Sequence, residues 1–384
     1  MTVFEPMGII RLRAAGYRAE LGRVEAVLAQ VTEGGPAGLD SPARDRFARL
    51  FGTARAGLDS AIREGPVTAD RWRQLDEARR TVELVGREAL AYVECQLLVE
   101  RGLDGSASAA AARLIASLTG RTGIDRPALL GVGDAECIDH LASVVRFRPL
   151  GTTVWLLAVI AHEFGHHAAA RLEDARLAAV RPAQAWLARA AQGEPPEPGM
   201  KFQQAHAWLH ELFADVFATY ALGTAYPLSV LAARVQFDRV DAESPTHPPW
   251  TLRVATMIAA LDSMADLDVG QAAADTYRES SRWLAERWAG LASARPDSDC
   301  RTRASAAGMV RLLAEHALPR LRYDVTGPVE RLREELDAPD LPPPPGATPA
   351  HVLNAAWNWR LRYPEADGAA VNTRALTRCA QAAL

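Results

Sequence analysis

The chain has 384 residues, of which 49% are hydrophobic and 23% are charged. This composition predicts a folded chain with a sizeable core and excludes a disordered one. The formal net charge of −4 gives no electrostatic support for a nucleic-acid partner or for an anionic membrane surface. The four cysteines are scattered and form no C-x-x-C pair, which speaks against a disulfide framework and a cysteine-type zinc site.

Helical spacing dominates the first third of the chain. Apolar residues recur at intervals of three and four over 8–33, 42–63, 68–99 and 106–119, so we predict helices there. We expect no secretory signal, since the first residues lack a basic start followed by a long apolar stretch. The most apolar run, 154–161, is far shorter than a bilayer span. A cytoplasmic protein without membrane insertion is therefore expected.

The composition changes near Gly120. Glycine, proline and β-branched residues become frequent between 120 and 151, which predicts short strands near 127–132 and 141–148. We interpret 142–149 as a candidate edge strand, along which a peptide substrate could pair as an added strand. A plain core strand explains the same pattern equally well.

Helical patterns return after this segment and continue towards the end of the chain. They cover 152–189, 202–222, 226–240, 249–265, 270–292, 302–316 and part of 348–384, with a loop at 193–200 and a proline-rich strap at 338–346. We divide the chain into an N-terminal helical region at 1–120, a core at 121–268 and a C-terminal helical region at 269–384.

The stretch VIAHEFGHHAA, at 159–169, places four ionisable residues in an apolar helix. His162 and His166 are four residues apart, so their imidazoles share one helix face and can converge on one metal ion. Glu163 is rotated away from them and could take a proton from a water held by the ion. Gly165, which has no side chain, would let another backbone approach closely. The alternative to a metal site is that this five-residue pattern occurs by chance. Two further stretches favour the metal site.

The second stretch, HAWLHELFADVFATYALG at 206–223, offers a third ligand. A catalytic zinc ion takes three protein ligands and keeps one open position. Glu211 could be that ligand, and Asp215, one turn later, could hydrogen-bond to the outer nitrogen of a ligand histidine. Ala214 would let the two helices pack tightly. Apolar neighbours favour a buried setting over a solvated acidic face.

The third stretch, THPPWTLRV at 246–254, contains His247 and Arg253. This pair could reach the site from its far side and donate hydrogen bonds to a developing oxyanion. An ordinary loop histidine and a surface arginine are the alternative. His206 and His210 are also four residues apart and could form a different metal pair, although His210 points about 100° away from Glu211 on a helix.

The three motifs together resemble the gluzincin zinc metallopeptidases, in particular the family that contains the HtpX heat-shock protease and the type I CAAX prenyl endopeptidase. They read HEFGH, ELFAD and HPPWTLR, in the family's order, and the likeness covers about 140–260. Many of those relatives are membrane-embedded, whereas no spanning helix is expected here. The resemblance implies that His162, His166 and Glu211 bind Zn²⁺, that Glu163 is the general base, that Asp215 supports a ligand, and that His247 and Arg253 contact the substrate or the oxyanion.

The expected fold is mainly α with a small β-sheet (α+β), in which a zincin-like metallopeptidase core is flanked by helical regions. The expected function is that of a zinc-dependent endopeptidase acting on a peptide or protein substrate. Two alternatives stay open. One is a helical interaction scaffold with a structural or vestigial zinc site. The other is a peptidase held inactive until a regulatory protein partner or a signal uncovers the cleft.

Overall fold

A computed structural model gives the fold of the protein. It describes residues 6–34, 41–63, 65–100, 105–124, 128–130, 137–139, 144–146, 153–172, 202–235, 239–242, 244–292, 300–317, 319–338 and 344–383. The predicted loop at 193–200, the second half of the helix predicted at 152–189 and the centre of the strap predicted at 338–346 lie outside these residues.

Apart from the helix at Val329–Asp337, which no predicted range covers, the described helices follow the predicted order. They are α1 (Pro6–Gly34), α2 (Ser41–Ala61), α3 (Ala69–Glu100), α4 (Gly105–Thr122), α5 (Val159–Leu172), α6 (Phe202–Leu222), α7 (Ala225–Ala233), α8 (Trp250–Ala265), α9 (Gln271–Ala292), α10 (Cys300–Arg311), α11 (Val329–Asp337), α12 (Pro349–Arg362) and α13 (Ala369–Gln381). A π-helical segment at Leu312–Ala317 and a 3₁₀ turn at Pro319–Leu321 follow α10. Most bounds lie within a few residues of the prediction, but α5 starts after a turn and α7 ends early.

The predicted fold class is wrong. Helices make up 79% of the described residues, and the strands found among these residues, β1 (Ala128–Leu130), β2 (Cys137–Asp139) and β3 (Val144–Arg146), are each three residues long. Typical strands have about 5–6 residues, so these three strands are short. The protein is therefore mainly α and not α+β.

The chain forms two compact units. The first is Met1–Gly105 with Leu130–Ala135 and Asp139–Arg148, and the second is Ser106–Leu129 with Glu136–Ile138 and Pro149–Leu384. In the first unit, α1, α2 and α3 pack through apolar faces that include Leu21, Phe51 and Val82, all almost fully buried. This grouping does not decide the predicted boundaries at 120 and 268, which stay predictions.

The second unit is built around the crossing of α5 and α6. Both helices are buried around most of their circumference, as expected for helices that carry apolar residues on several faces. They touch at Gly165 and Ala214, where a Cβ atom on Gly165 would lie 2.9 Å from Ala214 Cα and 3.2 Å from Ala214 Cβ. The sequence predicts this close approach. No described helix is both long and apolar enough to cross a membrane.

Replacing Gly165 by alanine is expected to lower the free energy of unfolding by about 1–3 kcal/mol, because the added methyl group pushes α5 and α6 apart. Gly120→Ala is the matched control. Gly120 is an exposed helical glycine of the same unit with nothing within 4 Å of an added Cβ, and alanine there should be neutral or stabilising. Thermal and denaturant unfolding would measure both changes. Equal stability of Gly165→Ala and wild type would contradict the tight crossing.

Side chains around the C-terminal helix α12 make hydrogen bonds with the segments next to α5 and α6. Asn354 of α12 donates to Leu222 O at the end of α6 (2.7 Å) and accepts from Ala225 N at the start of α7 (3.1 Å). Trp155, in the turn before α5, donates to Ala356 O of α12 (3.1 Å). Asn354 thereby satisfies two backbone groups that helix ends leave unpaired. These hydrogen bonds tie 349–362 to the same scaffold as the predicted motifs.

Candidate metal centre

Three potential metal ligands meet where α5 crosses α6. His162 and His166 lie one turn apart on α5, and their Nε2 atoms are 3.1 Å apart. Glu211 faces them from α6, with Oε1 3.3 Å from His166 Nε2 and Oε2 3.5 Å from His162 Nε2. All three side chains are buried. Their ligand atoms all lie within 4.8 Å of one another, so this group could hold a metal ion.

The spacing of these atoms fits a small divalent cation. Ligand atoms about 2.0–2.1 Å from a tetrahedral zinc ion are about 3.3 Å from one another, close to the distance between the two Nε2 atoms and to the distance from each Nε2 to one of the Glu211 oxygens. Glu211 Oε2 is buried and accepts no hydrogen bond from the described residues. Its charge faces Arg253 Nη1 at 3.2 Å, and a metal ion would add the direct bond that this buried oxygen lacks. Two imidazoles and a carboxylate also form a donor set that zinc takes.

The Nδ1 atom of His162, which points away from Glu211 and His166, faces two polar side chains. His162 Nδ1 is 2.9 Å from the Tyr226 hydroxyl and 3.1 Å from Asp215 Oδ1. The hydroxyl also donates a hydrogen bond to Asp215 Oδ1. Asp215 thus lies behind a candidate ligand histidine, at the position that the sequence predicts for it. Tyr226 lies outside the three motifs, and its position on α7 depends on the sharp turn at Gly223, which ends α6 with a φ of 61°.

Arg253 is held among the acidic residues of the site. Its Nε donates to Asp215 Oδ2 (2.8 Å) and its Nη2 to Asp215 Oδ1 (2.7 Å). Its Nη1 is 3.2 Å from Glu211 Oε2, in an ion pair without hydrogen-bond geometry. The guanidinium also lies 4.6 Å from the centre of the Trp250 ring. The side chain is buried, so these contacts favour a role in holding Asp215 and Glu211.

His247 lies at the rim of the site on the loop before α8. Its Nε2 is 3.6 Å from Glu211 Oε1, and 58% of its side chain is exposed. Ser244 Oγ accepts from His247 N (2.8 Å), and Thr246 Oγ1 is 2.8 Å from His247 Nδ1, so the loop fixes the position of the ring. His247 therefore combines proximity to the ligand group with access from solvent.

The electrostatics of the site follow from burial and from paired charges. Burial opposes the charged form of His162, but Asp215 and Glu211 outweigh it and raise the pKa of His162 to about 9. Burial also opposes ionisation of Asp215, but the charge and hydrogen bonds of Arg253 lower the pKa of Asp215 to about 2. The pKa of Glu211 is lowered by His162, His166 and Arg253 against the effect of burial. Both carboxylates are therefore ionised at neutral pH.

Glu163 differs from the other acidic residues of the site. It is buried next to His162 on α5, and burial is the largest cause of a raised pKa of Glu163. A buried carboxyl group with a raised pKa is a common feature of general bases. The role of Glu163 stays a prediction.

The alternative histidines occupy different positions. The side chain of His206 lies outside the described residues, and His210 is half-buried on α6. His167 is buried, with its ring 5.8 Å from the ring of Phe164. The group of ligand atoms found among the described residues contains none of these three histidines.

No family model, no curated protein and no solved structure matches the chain. The likeness to the gluzincin peptidases therefore consists of the three motifs, and membership of that family stays a prediction.

Proposed function

We propose that the protein is a zinc-dependent endopeptidase in which His162, His166 and Glu211 hold the metal and Glu163 is the general base. The observation that carries this proposal is the convergence of three buried ligand atoms from α5 and α6. Structural zinc sites are usually closed by four protein ligands, whereas catalytic sites use three and keep one position open. Three ligands beside a buried glutamate therefore favour catalysis over a structural site.

The side chains around the metal group have separate tasks in this mechanism. When bound, zinc supplies a Lewis acid that polarises a carbonyl and makes water acidic. Glu163 accepts the proton of the attacking water and passes it to the leaving amine. His247, exposed at the rim, donates a hydrogen bond to the carbonyl oxygen of the substrate. Arg253 keeps Asp215 and Glu211 in place, and a direct contact between Arg253 and the oxyanion stays a prediction.

The substrate class in this proposal is a peptide or an unfolded protein segment. The predicted cytoplasmic location and the predicted regulatory protein partner stay predictions. Through the contacts of Asn354 and Trp155, the C-terminal helices support the helices that carry the site. This supporting role explains the presence of the C-terminal region without requiring that it cover the cleft.

Removal of the metal tests the proposal. Treatment of the full chain with a strong zinc chelator is expected to abolish cleavage of an unfolded protein substrate, and one equivalent of zinc should restore it, because activation of the water requires the metal. Cleavage of a fluorescently labelled unfolded protein measures the rate. Circular dichroism shows whether the metal-free chain stays folded. Cleavage that persists without metal would refute the proposal, and zinc binding without any cleavage would favour the scaffold alternative.

A further inference from the structure

We infer that Tyr226 is a positioning residue of the metal centre, which holds the His162 ring with Nδ1 protonated and Nε2 free for the metal. This inference rests on the proposed function, since it assigns Tyr226 a role toward the same metal. Tyr226 lies on α7, outside the three motifs, and is 1% exposed. Its hydroxyl group is the link between His162 Nδ1 and Asp215 Oδ1.

The protons of this network can be assigned from its donors and acceptors. Arg253 donates two hydrogen bonds to Asp215, which therefore acts as a carboxylate and only accepts. The single phenolic proton of Tyr226 goes to Asp215 Oδ1. The tyrosine oxygen then offers only lone pairs to His162 Nδ1 at 2.9 Å. Nδ1 must therefore carry a proton, so Nε2 is the nitrogen whose lone pair binds the metal once the ring has lost its other proton.

Asp215 alone would restrain His162 less well. Asp215 Oδ1 is the more distant acceptor of the two, at 3.1 Å from Nδ1, and it already accepts from Tyr226 and from Arg253 Nη2. The Tyr226 ring adds a steric restraint, because it stacks on the His162 ring with centroids 5.8 Å apart and planes 10° apart. The tyrosine thus fixes both the direction of the Nδ1 hydrogen bond and the plane of the ring.

The test compares two Tyr→Phe substitutions in the full chain. Tyr226→Phe keeps the stacked ring and removes only the hydroxyl. Tyr220→Phe is the matched control, because Tyr220 is fully buried on α6 and its hydroxyl has no hydrogen-bond partner among the described residues. Competition with a colorimetric chelator measures the zinc dissociation constant. The visible spectrum of the cobalt-substituted protein reports the geometry of the ligands, which a general loss of stability would leave unchanged.

Tyr226→Phe is expected to raise the zinc dissociation constant about 10- to 100-fold, the range for groups that support a ligand histidine. It should also shift the cobalt spectrum, whereas Tyr220→Phe should match the wild type in both. Wild-type affinity in Tyr226→Phe, or an equal loss in Tyr220→Phe, overturns the inference and leaves the proposed function standing. If Tyr226→Phe loses zinc affinity as expected but the zinc-loaded wild type cleaves no peptide, the inference stands and the proposed peptidase function is rejected. A wild-type chain that binds no zinc rejects both.

Discussion

Replacing Glu163 by glutamine is expected to leave zinc bound and to reduce peptide-bond cleavage by about 10²- to 10⁴-fold, the usual contribution of a general base. Glutamine has nearly the size of glutamate, so the buried position on α5 remains filled. Its amide cannot accept the proton of an attacking water. Initial cleavage rates, measured at equal zinc content, would test this expectation.

Glu286→Gln is the matched control for this substitution. Glu286 is exposed on α9 of the same unit, so the same chemical change there should alter neither zinc content nor the cleavage rate. Full activity of Glu163→Gln would reject Glu163 as the base. Loss of zinc from that variant would show that Glu163 acts on the metal group and would also contradict the assigned role.

A second large effect is expected at Glu211. Substitution of a residue that supports a ligand typically weakens metal binding by about 10- to 100-fold. Glu211→Gln should weaken zinc binding by more than this, because it replaces a charged ligand by a neutral amide. It also removes the charge that faces Arg253 Nη1 at 3.2 Å, which leaves the guanidinium with Asp215 as its acidic partner at the site. Cleavage should fall with zinc occupancy.

The zinc dissociation constant of Glu211→Gln, measured by chelator competition beside wild type and Glu286→Gln, would test this second expectation. Recovery of activity at high zinc concentration would show that the fold survives the substitution. Unchanged zinc affinity would mean that residue 211 is not a ligand, and the third ligand would then have to come from another residue.

The spacing rules of the helix predict the central part of the site. His162 and His166 share a face because four residues make about one turn, and the apolar residues around Glu211 indicate that its helix is buried. Gly165 and Ala214 indicate where the two helices can approach closely, and a Cβ on Gly165 would collide there. These features are local in sequence, or depend on one helix crossing.

Other parts of the site depend on contacts between distant segments. Tyr226 reaches His162 because α6 ends at Gly223 and the chain turns into α7, and no motif spacing reports that turn. Arg253 was predicted as a contact of the oxyanion, yet the structure surrounds its guanidinium with Asp215 and Glu211. A short arginine motif does not specify which acid the side chain will pair with.

The fold was predictable where apolar spacing was long and regular. It was not predictable in the segment after Gly120, where β-branched residues suggested a sheet and the strands among the described residues are three residues long. No predicted helix covers α11, which has nine residues and is too short to be stable alone. Arg374 of α13 bonds to Leu336 O at its end (2.9 Å), so tertiary contacts stabilise this helix.

Anomalous diffraction at the zinc absorption edge, from crystals of the full chain grown with zinc, tests the central claim most directly. The account predicts one strong anomalous peak within bonding distance of His162 Nε2, His166 Nε2 and a carboxylate oxygen of Glu211. The same peak should be weaker in crystals of Glu211→Gln grown at the same limiting zinc concentration. A wild-type crystal with zinc bound elsewhere, or with no peak between these three side chains, would contradict the account.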